Sequence, residues 1–402
     1  MDIKRVTLLG NKDHGKSTLI GSLLIATKSA TKQRIDEAKK VSMKLGRDFE
    51  PGFILDSFEE EREGGLTIDT TRAQITYRDA AFEFIDVPGH EELIGNMISG
   101  ASYGDFAVLM VSAKGGEGVT EQTRRHLVLA KLLGIRRVVV AVNKMDTVAY
   151  KKERFEAIVE SVQEFCMNVG FEPGSVVFVP VSAYNADNLV KRSMHIRWYR
   201  GKPLMELIYE AASARKKGNR GLRLLFQGTI KSGRKTLYTG KIVNGRLRRG
   251  QRILVMPLGK NAVVSSLYVK GKEIGSASEG NNVALEMPGT HATRGCIGFE
   301  PESNPRCGTV FEAMVFSVGR IPKKVQLRMN GSEFMADVSV FGEIDLKSGK
   351  IKEANSIKPL GTGKAKIRLS RSVVIESAAE CPEMGRFLLY DSGKFAGIGV
   401  IG

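Results

Sequence analysis

A glycine-rich segment close to the N-terminus has the composition and spacing of a phosphate-binding loop. Residues 10–17 read GNKDHGKS and match the pattern GxxxxGK[ST], directly after an apolar, strand-like run and directly before a helical pattern. In such a loop the backbone N–H groups surround phosphate oxygens, and the helix N-terminus contributes partial positive charge. We therefore expect Lys16 to contact the β- and γ-phosphates of a nucleotide and Ser17 to bind Mg²⁺. The nucleotide-binding residues predicted from this loop are Asn11, Lys12, Asp13, His14, Gly15, Lys16, Ser17 and Thr18.

Two other segments carry residue types that would complete a metal and phosphate site. The apolar run 82–85 ends in Asp86-Val-Pro-Gly89-His90, and a carboxylate at the carboxyl end of a neighbouring strand would lie beside bound phosphates. We expect Asp86 to hold Mg²⁺ and the backbone N–H of Gly89 to contact the γ-phosphate. Thr67 follows two glycines, and its hydroxyl would bind Mg²⁺ only while the third phosphate is present. This segment is therefore expected to be an order–disorder switch.

A third motif has the residue types that recognise guanine. A strand-like run is followed by Asn143-Lys-Met-Asp146. A carboxylate here can accept two N–H bonds from the N1 and N2 edge of guanine, whereas adenine offers no such pair of donors. We expect Asp146 to select guanine, Asn143 to link the base to the phosphate loop, and the stem of Lys144 to lie along the ring. The next predicted strand ends at Ser182 and Ala183, whose backbone we expect to contact the guanine O6 atom.

The three motifs follow predicted strands in a region where strands and helices alternate. Amphipathic patterns predict helices over 121–133 and 151–169. Strands that alternate with helices favour an open, mostly parallel sheet with helices on both faces. We expect this α/β domain to span residues 1–213. Its predicted strands are 3–9, 73–77, 82–86, 106–112, 138–142 and 176–181.

The remainder of the chain has a different pattern. Residues 214–221, ARKKGNRG, are basic and lack an apolar period, which is typical of a linker. Beyond them, short β-rich runs punctuated by glycine predict two all-β barrel domains, over 222–310 and 311–402. One continuous strand is expected over 262–269.

Composition and charge limit the class of protein further. Hydrophobic residues make up 42% of the 402 residues and charged residues 26%, which is typical of a folded protein. No apolar run is long enough to span a membrane, and four widely separated cysteines favour neither zinc nor disulfides, so a cytoplasmic protein is expected. The net charge is +17, and residues 211–272 contain 16 Lys and Arg and no acidic residue. This concentration indicates either an anionic partner or a solvated basic surface.

Together the motifs resemble the GTPase domain of translation factors, of the elongation factor 1-alpha (Tu)-like type. The family's five nucleotide motifs correspond, in order, to residues 10–17, 66–69, 86–90, 143–146 and 182–183. The segment EEEREGGLTID, residues 59–69, is similar to the family's ERERGITID, and NMISGAS, residues 96–102, resembles NMITGAS. The resemblance implies an α/β P-loop GTPase domain followed by two all-β barrel domains. It also implies Mg²⁺-dependent hydrolysis of GTP to GDP and phosphate.

The resemblance also implies roles for individual residues. In the family a histidine after the Pro-Gly turn positions the attacking water, and this role falls on His90. Lys16 and Gly89 are the other expected catalytic groups, and the metal ligands are Ser17, Thr67 and Asp86. The family's loop usually begins GHVDHGK, where the valine is half of an apolar gate. Lys12 stands at that position here, so control of hydrolysis is expected to differ.

Two functions are compatible with these features. The first is a translation factor that carries a tRNA or tRNA-like partner to the ribosome, with a guanine-nucleotide exchange factor as a further expected partner and no membrane. The second is the GTPase large subunit of sulfate adenylyltransferase, which would bind a small adenylyltransferase subunit. The basic stretch favours the first, because phosphate neutralisation needs clustered cations. The expected RNA contacts include Arg223, Lys231, Arg234, Lys241, Arg248 and Arg249.

Overall fold

The computed structural model describes residues 3–46, 48–55, 72–86, 106–135, 137–213, 221–233 and 235–402. These residues fall into two compact units. The first contains the described residues up to 213 together with Asp345–Lys350, and the second contains the others from residue 221 onward. No helix in the described part of the chain is both long and apolar enough to cross a membrane.

The first unit is built on a six-stranded sheet with the strand order β2-β3-β1-β4-β5-β6. Only β2 is antiparallel to its neighbour, so the predicted mostly parallel α/β domain is confirmed. Every residue of β4 is buried, as expected for a central strand that is covered on both faces. The strands are β1 Ile3–Gly10, β2 Arg72–Tyr77, β3 Ala80–Asp86, β4 Phe106–Ser112, β5 Arg137–Asn143 and β6 Val176–Pro180.

Five α-helices and one 3₁₀ turn accompany these strands in the described residues of the first unit. Gly15 precedes α1 in the left-handed conformation, and Thr120 caps α3 by accepting the N–H of Thr123. The 3₁₀ turn covers Met145–Val148, directly after β5. The α-helices are α1 Lys16–Ala26, α2 Lys32–Lys44, α3 Glu121–Leu132, α4 Lys152–Val169 and α5 Leu204–Ser213.

The second unit contains the two predicted β domains. The first has an eight-stranded sheet and a two-stranded ribbon. The expected single strand over 262–269 is wrong: β11 pairs with β10 and β12 pairs with β15, and the buried Val264 lies between them. Its strands are β7 Arg223–Ser232, β8 Lys235–Asn244, β9 Arg246–Arg248, β10 Arg252–Met256, β11 Lys260–Val263, β12 Ser266–Val269, β13 Lys272–Glu273, β14 Ser276–Ser278, β15 Asn282–Glu286 and β16 Ile297–Phe299.

The second β domain is a barrel that closes on itself, because β18 pairs with both β22 and β19. Alternate residues of β18 and β19 point into an apolar core that includes Leu327, Phe334 and Phe387. The predicted linker lies, except for its last residue, outside the described residues, and the domain boundaries stay predictions. The strands are β17 Cys307–Ser317, β18 Lys324–Met329, β19 Ser332–Ile344, β20 Ile351–Lys352, β21 Thr362–Val374, β22 Arg386–Asp391 and β23 Lys394–Ile401.

Candidate functional site

The predicted phosphate loop connects the end of β1 to the start of α1. Gly10 has φ of 146°, and a Cβ atom there would lie 2.8 Å from the carbonyl oxygen of Met110. Gly15 has φ of 88°, which L-amino acids with a side chain rarely adopt. The ammonium group of Lys16 donates to the carbonyl oxygens of Gly10 at 3.1 Å and Asn11 at 3.0 Å. The loop therefore folds around the cation that we expect to meet the phosphates.

His14 fastens this loop to the neighbouring strand. Its side chain is 2% exposed, and Nδ1 lies 3.1 Å from the carbonyl oxygen of Met110. Burial lowers the pKa of His14, against the raising effect of that hydrogen bond, so the ring is neutral near pH 7 and Nδ1 carries the donated proton. His14 is therefore a structural residue of the loop, and its backbone, not its ring, faces the rest of the site.

Asn143, in the first segment predicted to recognise the base, joins the predicted phosphate loop to the second such segment. Its Nδ2 donates to the carbonyl oxygen of His14 at 2.8 Å, and its Oδ1 accepts the N–H of Ala183 at 2.8 Å. A Cβ atom on Gly15 would lie 2.4 Å from Nδ2 of Asn143, so only glycine fits there. The expected contact of the Ser182–Ala183 backbone with guanine O6 stays a prediction, since the Ala183 N–H is bonded to Asn143 in this structure.

Asp146 presents a carboxylate oxygen that has no partner among the described residues. Its Oδ1 is buried and makes no hydrogen bond to any described residue. An unpaired buried acceptor is costly, so this atom is suited to a ligand that brings N–H donors. The N1 and N2 edge of guanine has that chemistry.

Lys144 is held by a residue that the sequence did not single out. Its ammonium group lies 2.9 Å from a carboxylate oxygen of Glu117, and its backbone is left-handed with φ of 62°. Burial raises the pKa of Glu117, but hydrogen bonds from Ser112 and Lys144 and the charges of Lys144 and Lys114 outweigh it and lower the pKa below its usual value. Glu117 is therefore ionised and fixes the direction of Lys144.

Two further contacts of the phosphate loop escaped sequence reasoning. Thr18 donates to Oε1 of Glu50 at 2.8 Å, and Nδ2 of Asn11 donates to Oγ1 of Thr120 at 2.7 Å. Thr120 is also the N-cap of α3, and nothing in the sequence indicated that it holds Asn11. Lys12 is exposed, as is Asp13.

The metal and catalytic residues are only partly within the described chain. Ser17 is exposed in the first turn of α1. The backbone of Asp86 pairs with Leu8, two residues before Gly10, so β3 ends beside the phosphate loop. Thr67, Gly89 and His90 lie outside the described residues, as does the side chain of Asp86, and their roles stay predictions.

The acid-free stretch of the first barrel is partly neutralised by carboxylates from later in the chain. Arg223, expected to contact RNA, is mostly buried and lies 2.6 Å from Glu376. Lys241 and Arg249 lie 3.8 and 3.1 Å from carboxylates. Their partners are Glu383 and Glu273, respectively, and Lys235 pairs with Glu286. The sequence stretch therefore overstated the free positive charge.

The fold and the site define the chain as a nucleotide-binding α/β protein, because the phosphate loop and the base-recognition segments meet at the carboxyl edge of a mostly parallel sheet. Comparison with protein families is more specific. The elongation factor Tu GTP binding domain matches residues 1–214, and the GTP-eEF1A C-terminal domain-like family matches residues 322–402. The chain therefore belongs to the elongation factor 1-alpha family of translation GTPases.

Curated relatives agree with that assignment over nearly the whole chain. Elongation factor 1-alpha of Sulfolobus acidocaldarius is 36% identical, and the match covers 98% of this chain and 95% of the relative. Elongation factor 1-alpha of Aeropyrum pernix is 32% identical, with 98% and 95% covered. A crystal structure of sup35 complexed with GDP is 24% identical, covers 100% of this chain and 93% of that one, and has a TM-score of 0.44. The curated relatives favour the elongation-factor interpretation over the adenylyltransferase alternative.

Proposed function

We propose that this protein is a GTP-driven switch of translation that carries a tRNA or tRNA-like RNA to the ribosome. The observation that carries the nucleotide part is the pair of hydrogen bonds by which Asn143 joins the phosphate loop to Ala183. The buried Oδ1 of Asp146, which accepts no hydrogen bond from any residue that the structure describes, supports guanine as the base. The RNA and ribosome are supported by the elongation-factor relatives and by the basic first barrel.

The proposed site would hold Mg²⁺ through the hydroxyl groups of Ser17 and Thr67, with Asp86 behind them. The exposed Ser17 beside Lys16 and the end of β3 next to β1 fit such an ion. When bound, Mg²⁺ neutralises charge on the β- and γ-phosphates. Lys16 and the N–H groups of the loop stabilise the negative charge that develops on the transferred phosphoryl group.

His90 is proposed to orient the attacking water. Its place directly after the Pro-Gly turn puts it next to Gly89, the proposed γ-phosphate contact. The exposed Lys12 supports a gate that differs from the family's apolar one, because a charged side chain stays solvated rather than forming an apolar wall.

The proposed RNA contacts are the basic residues of the first barrel that are not neutralised. Lys231 and Arg248 are exposed, and neither has a carboxylate within 4.0 Å among the described residues. They can release counterions from a phosphate backbone when they bind it. A guanine-nucleotide exchange factor is a further proposed partner of the GDP form.

Single-turnover hydrolysis of GTP with and without ribosomes tests the proposal. We expect ribosomes to stimulate hydrolysis and His90→Ala to bind GTP normally but hydrolyse it about 100-fold more slowly or worse. The translation role would be contradicted if ribosomes did not stimulate hydrolysis, no RNA bound, and the protein copurified with an adenylyltransferase subunit. Equal turnover in His90→Ala would remove His90 from the mechanism.

A further inference from the structure

We propose that Tyr150 and Asp187 form a clamp that positions the two guanine-recognition segments against each other, which makes Tyr150 a positioning residue for base selectivity. The inference rests on the proposed role of Asp146. Tyr150 closes the turn that begins at Asn143, and Asp187 belongs to the loop that begins at Ser182. The clamp thus joins segments that are about 40 residues apart in sequence.

The turn that carries Asp146 ends in an unusual backbone conformation. After the 3₁₀ turn Met145–Val148, both Ala149 and Tyr150 are left-handed, with φ of 50° and 54°. Such a conformation persists in residues with a side chain only when the surroundings hold it. The Tyr150 N–H donates to the carbonyl oxygen of Met145 at 2.8 Å, and the indole N–H of Trp198 donates to the Tyr150 carbonyl oxygen at 2.8 Å. One hydrogen bond within the turn and one from Trp198, in the loop that follows Ser182, therefore hold the end of this turn.

Asp187 makes the connection on the other side. Its backbone forms a two-way bridge with Ser182, with N···O distances of 3.0 and 3.3 Å, directly beside Ala183. Its carboxylate accepts the Tyr150 hydroxyl at 2.6 Å and the Ser193 hydroxyl at 2.5 Å. The position of Tyr150 is thus tied to the backbone of the second guanine-recognition segment.

Further contacts surround the Tyr150 ring. Burial, and secondly the hydrogen bond to Asp187, raises the pKa of Tyr150 to about 12; the phenol is protonated at neutral pH with or without this shift and donates to Asp187. The ring of His195 stacks on Tyr150 with the centroids 5.2 Å apart, and its Nδ1 lies 3.3 Å from Asp187. The amide of Asn185 donates to the tyrosine oxygen at 3.1 Å. The hydrogen bond between Tyr150 and Asp187 joins the two segments that we propose to recognise guanine, so base positioning is the effect proposed for it.

Calorimetric titration with GDP and inosine diphosphate tests the clamp in the full-length protein. Inosine lacks the 2-amino group of guanine. The ratio of the affinities for GDP and inosine diphosphate therefore reports whether the Asp146 carboxylate accepts hydrogen bonds from both N1 and N2 of guanine. We expect Tyr150→Phe to weaken the binding of GDP about tenfold and that of inosine diphosphate less than about threefold. The reason is that a displaced Asp146 carboxylate loses mainly its hydrogen bond from the 2-amino group, which inosine lacks. Ser193→Ala should shift the ratio in the same direction by less.

The matched control is Tyr209→Phe, which removes another tyrosine hydroxyl that donates to an aspartate, Asp79, at 2.8 Å in the same domain. It should leave both affinities unchanged. Unchanged affinities in Tyr150→Phe would overturn the clamp, and so would an equal loss for both nucleotides together with a lower melting temperature, which indicates a purely structural role. Failure of the wild-type protein to bind GDP would instead contradict the proposed function.

Discussion

The nucleotide edge of the first domain and the basic surface of the first barrel hold their polar groups in opposite ways. At the nucleotide edge, Asn143 and His14 bond backbone groups of adjoining segments. Within the described part of the chain, the buried Oδ1 of Asp146 has no hydrogen-bond partner. In the barrel, Arg223 and Lys235 are bonded to carboxylates more than 50 residues away in the chain. The first arrangement leaves hydrogen-bonding groups available to a ligand, whereas in the second the cations are already paired with carboxylates of the protein.

The difference shows that a charge-rich sequence and a ligand-ready site are separate properties. Arg223 lies over the ring of Phe299 with 4.9 Å to its centroid and is bonded to Glu376, so it holds the two barrels together. A cation that is already paired releases few counterions on meeting RNA. Whether a basic residue contributes to RNA binding therefore depends on whether a carboxylate of the protein already pairs with it.

The largest expected effect comes from breaking the nucleotide edge at Gly15. Gly15→Ala would put a methyl group 2.4 Å from the amide of Asn143 in a backbone with φ of 88°. We expect GDP affinity to fall by at least about 100-fold, since the left-handed strain alone costs roughly 1–2 kcal/mol and the clash adds to it. Isothermal titration calorimetry with GDP measures this affinity. Gly115→Ala, at a position with open space around it, is the control and should bind normally.

Arg223→Ala is the corresponding change in the barrel, and it should affect stability rather than ligand binding. Loss of one partner of a mostly buried ion pair is expected to lower the free energy of unfolding by about 3 kcal/mol. Urea denaturation, followed by a spectroscopic signal from the second unit, measures this free energy of unfolding. Lys235→Ala breaks the pair of an exposed lysine with Glu286 and should cost below about 1 kcal/mol. Equal losses of unfolding free energy in the two variants would show that the mostly buried Arg223 pair stabilises the fold no more than the exposed Lys235 pair.

The smallest effect is expected at Lys231 and Arg248, which face no carboxylate within 4.0 Å in the described ranges. Each of Lys231→Ala and Arg248→Ala should weaken RNA binding a few-fold and reduce the slope of log affinity against log salt by about 1. Filter binding of tRNA at several salt concentrations measures both. Lys241→Ala, which removes a cation facing Glu383, should change the slope less. If Lys241→Ala has the largest effect, neutralisation by carboxylates does not decide which cations bind RNA.

The sequence predicted those parts of the molecule that depend on short segments. The phosphate loop, the strand before it and the helix after it can be recognised within 20 residues, because glycine positions and apolar periodicity are local. Glu117, Glu50 and Thr120 could not be predicted as parts of the site, since their contacts with Lys144, Thr18 and Asn11 join residues 27, 32 and 109 positions apart. The same holds for Glu376, which pairs with an arginine 153 positions away.

The barrel strands show a second limit. The apolar run 262–269 predicts one strand, but Val264 turns inward and the chain changes partners between β11 and β12. The buried positions change phase between Val264 and Leu267, but the sequence does not show which residues of this run face inward. Element type was therefore predicted, whereas the pairing partner was not.

The most direct test of the central claim is calorimetric titration of the wild-type protein and Asp146→Asn with GDP and xanthosine diphosphate. Xanthine has an oxygen where guanine has the 2-amino group, so an amide at position 146 can donate where the carboxylate could only accept. The wild-type protein should bind GDP and discriminate against xanthosine diphosphate, and Asp146→Asn should reverse the preference. Unchanged selectivity for guanine in Asp146→Asn would contradict the account.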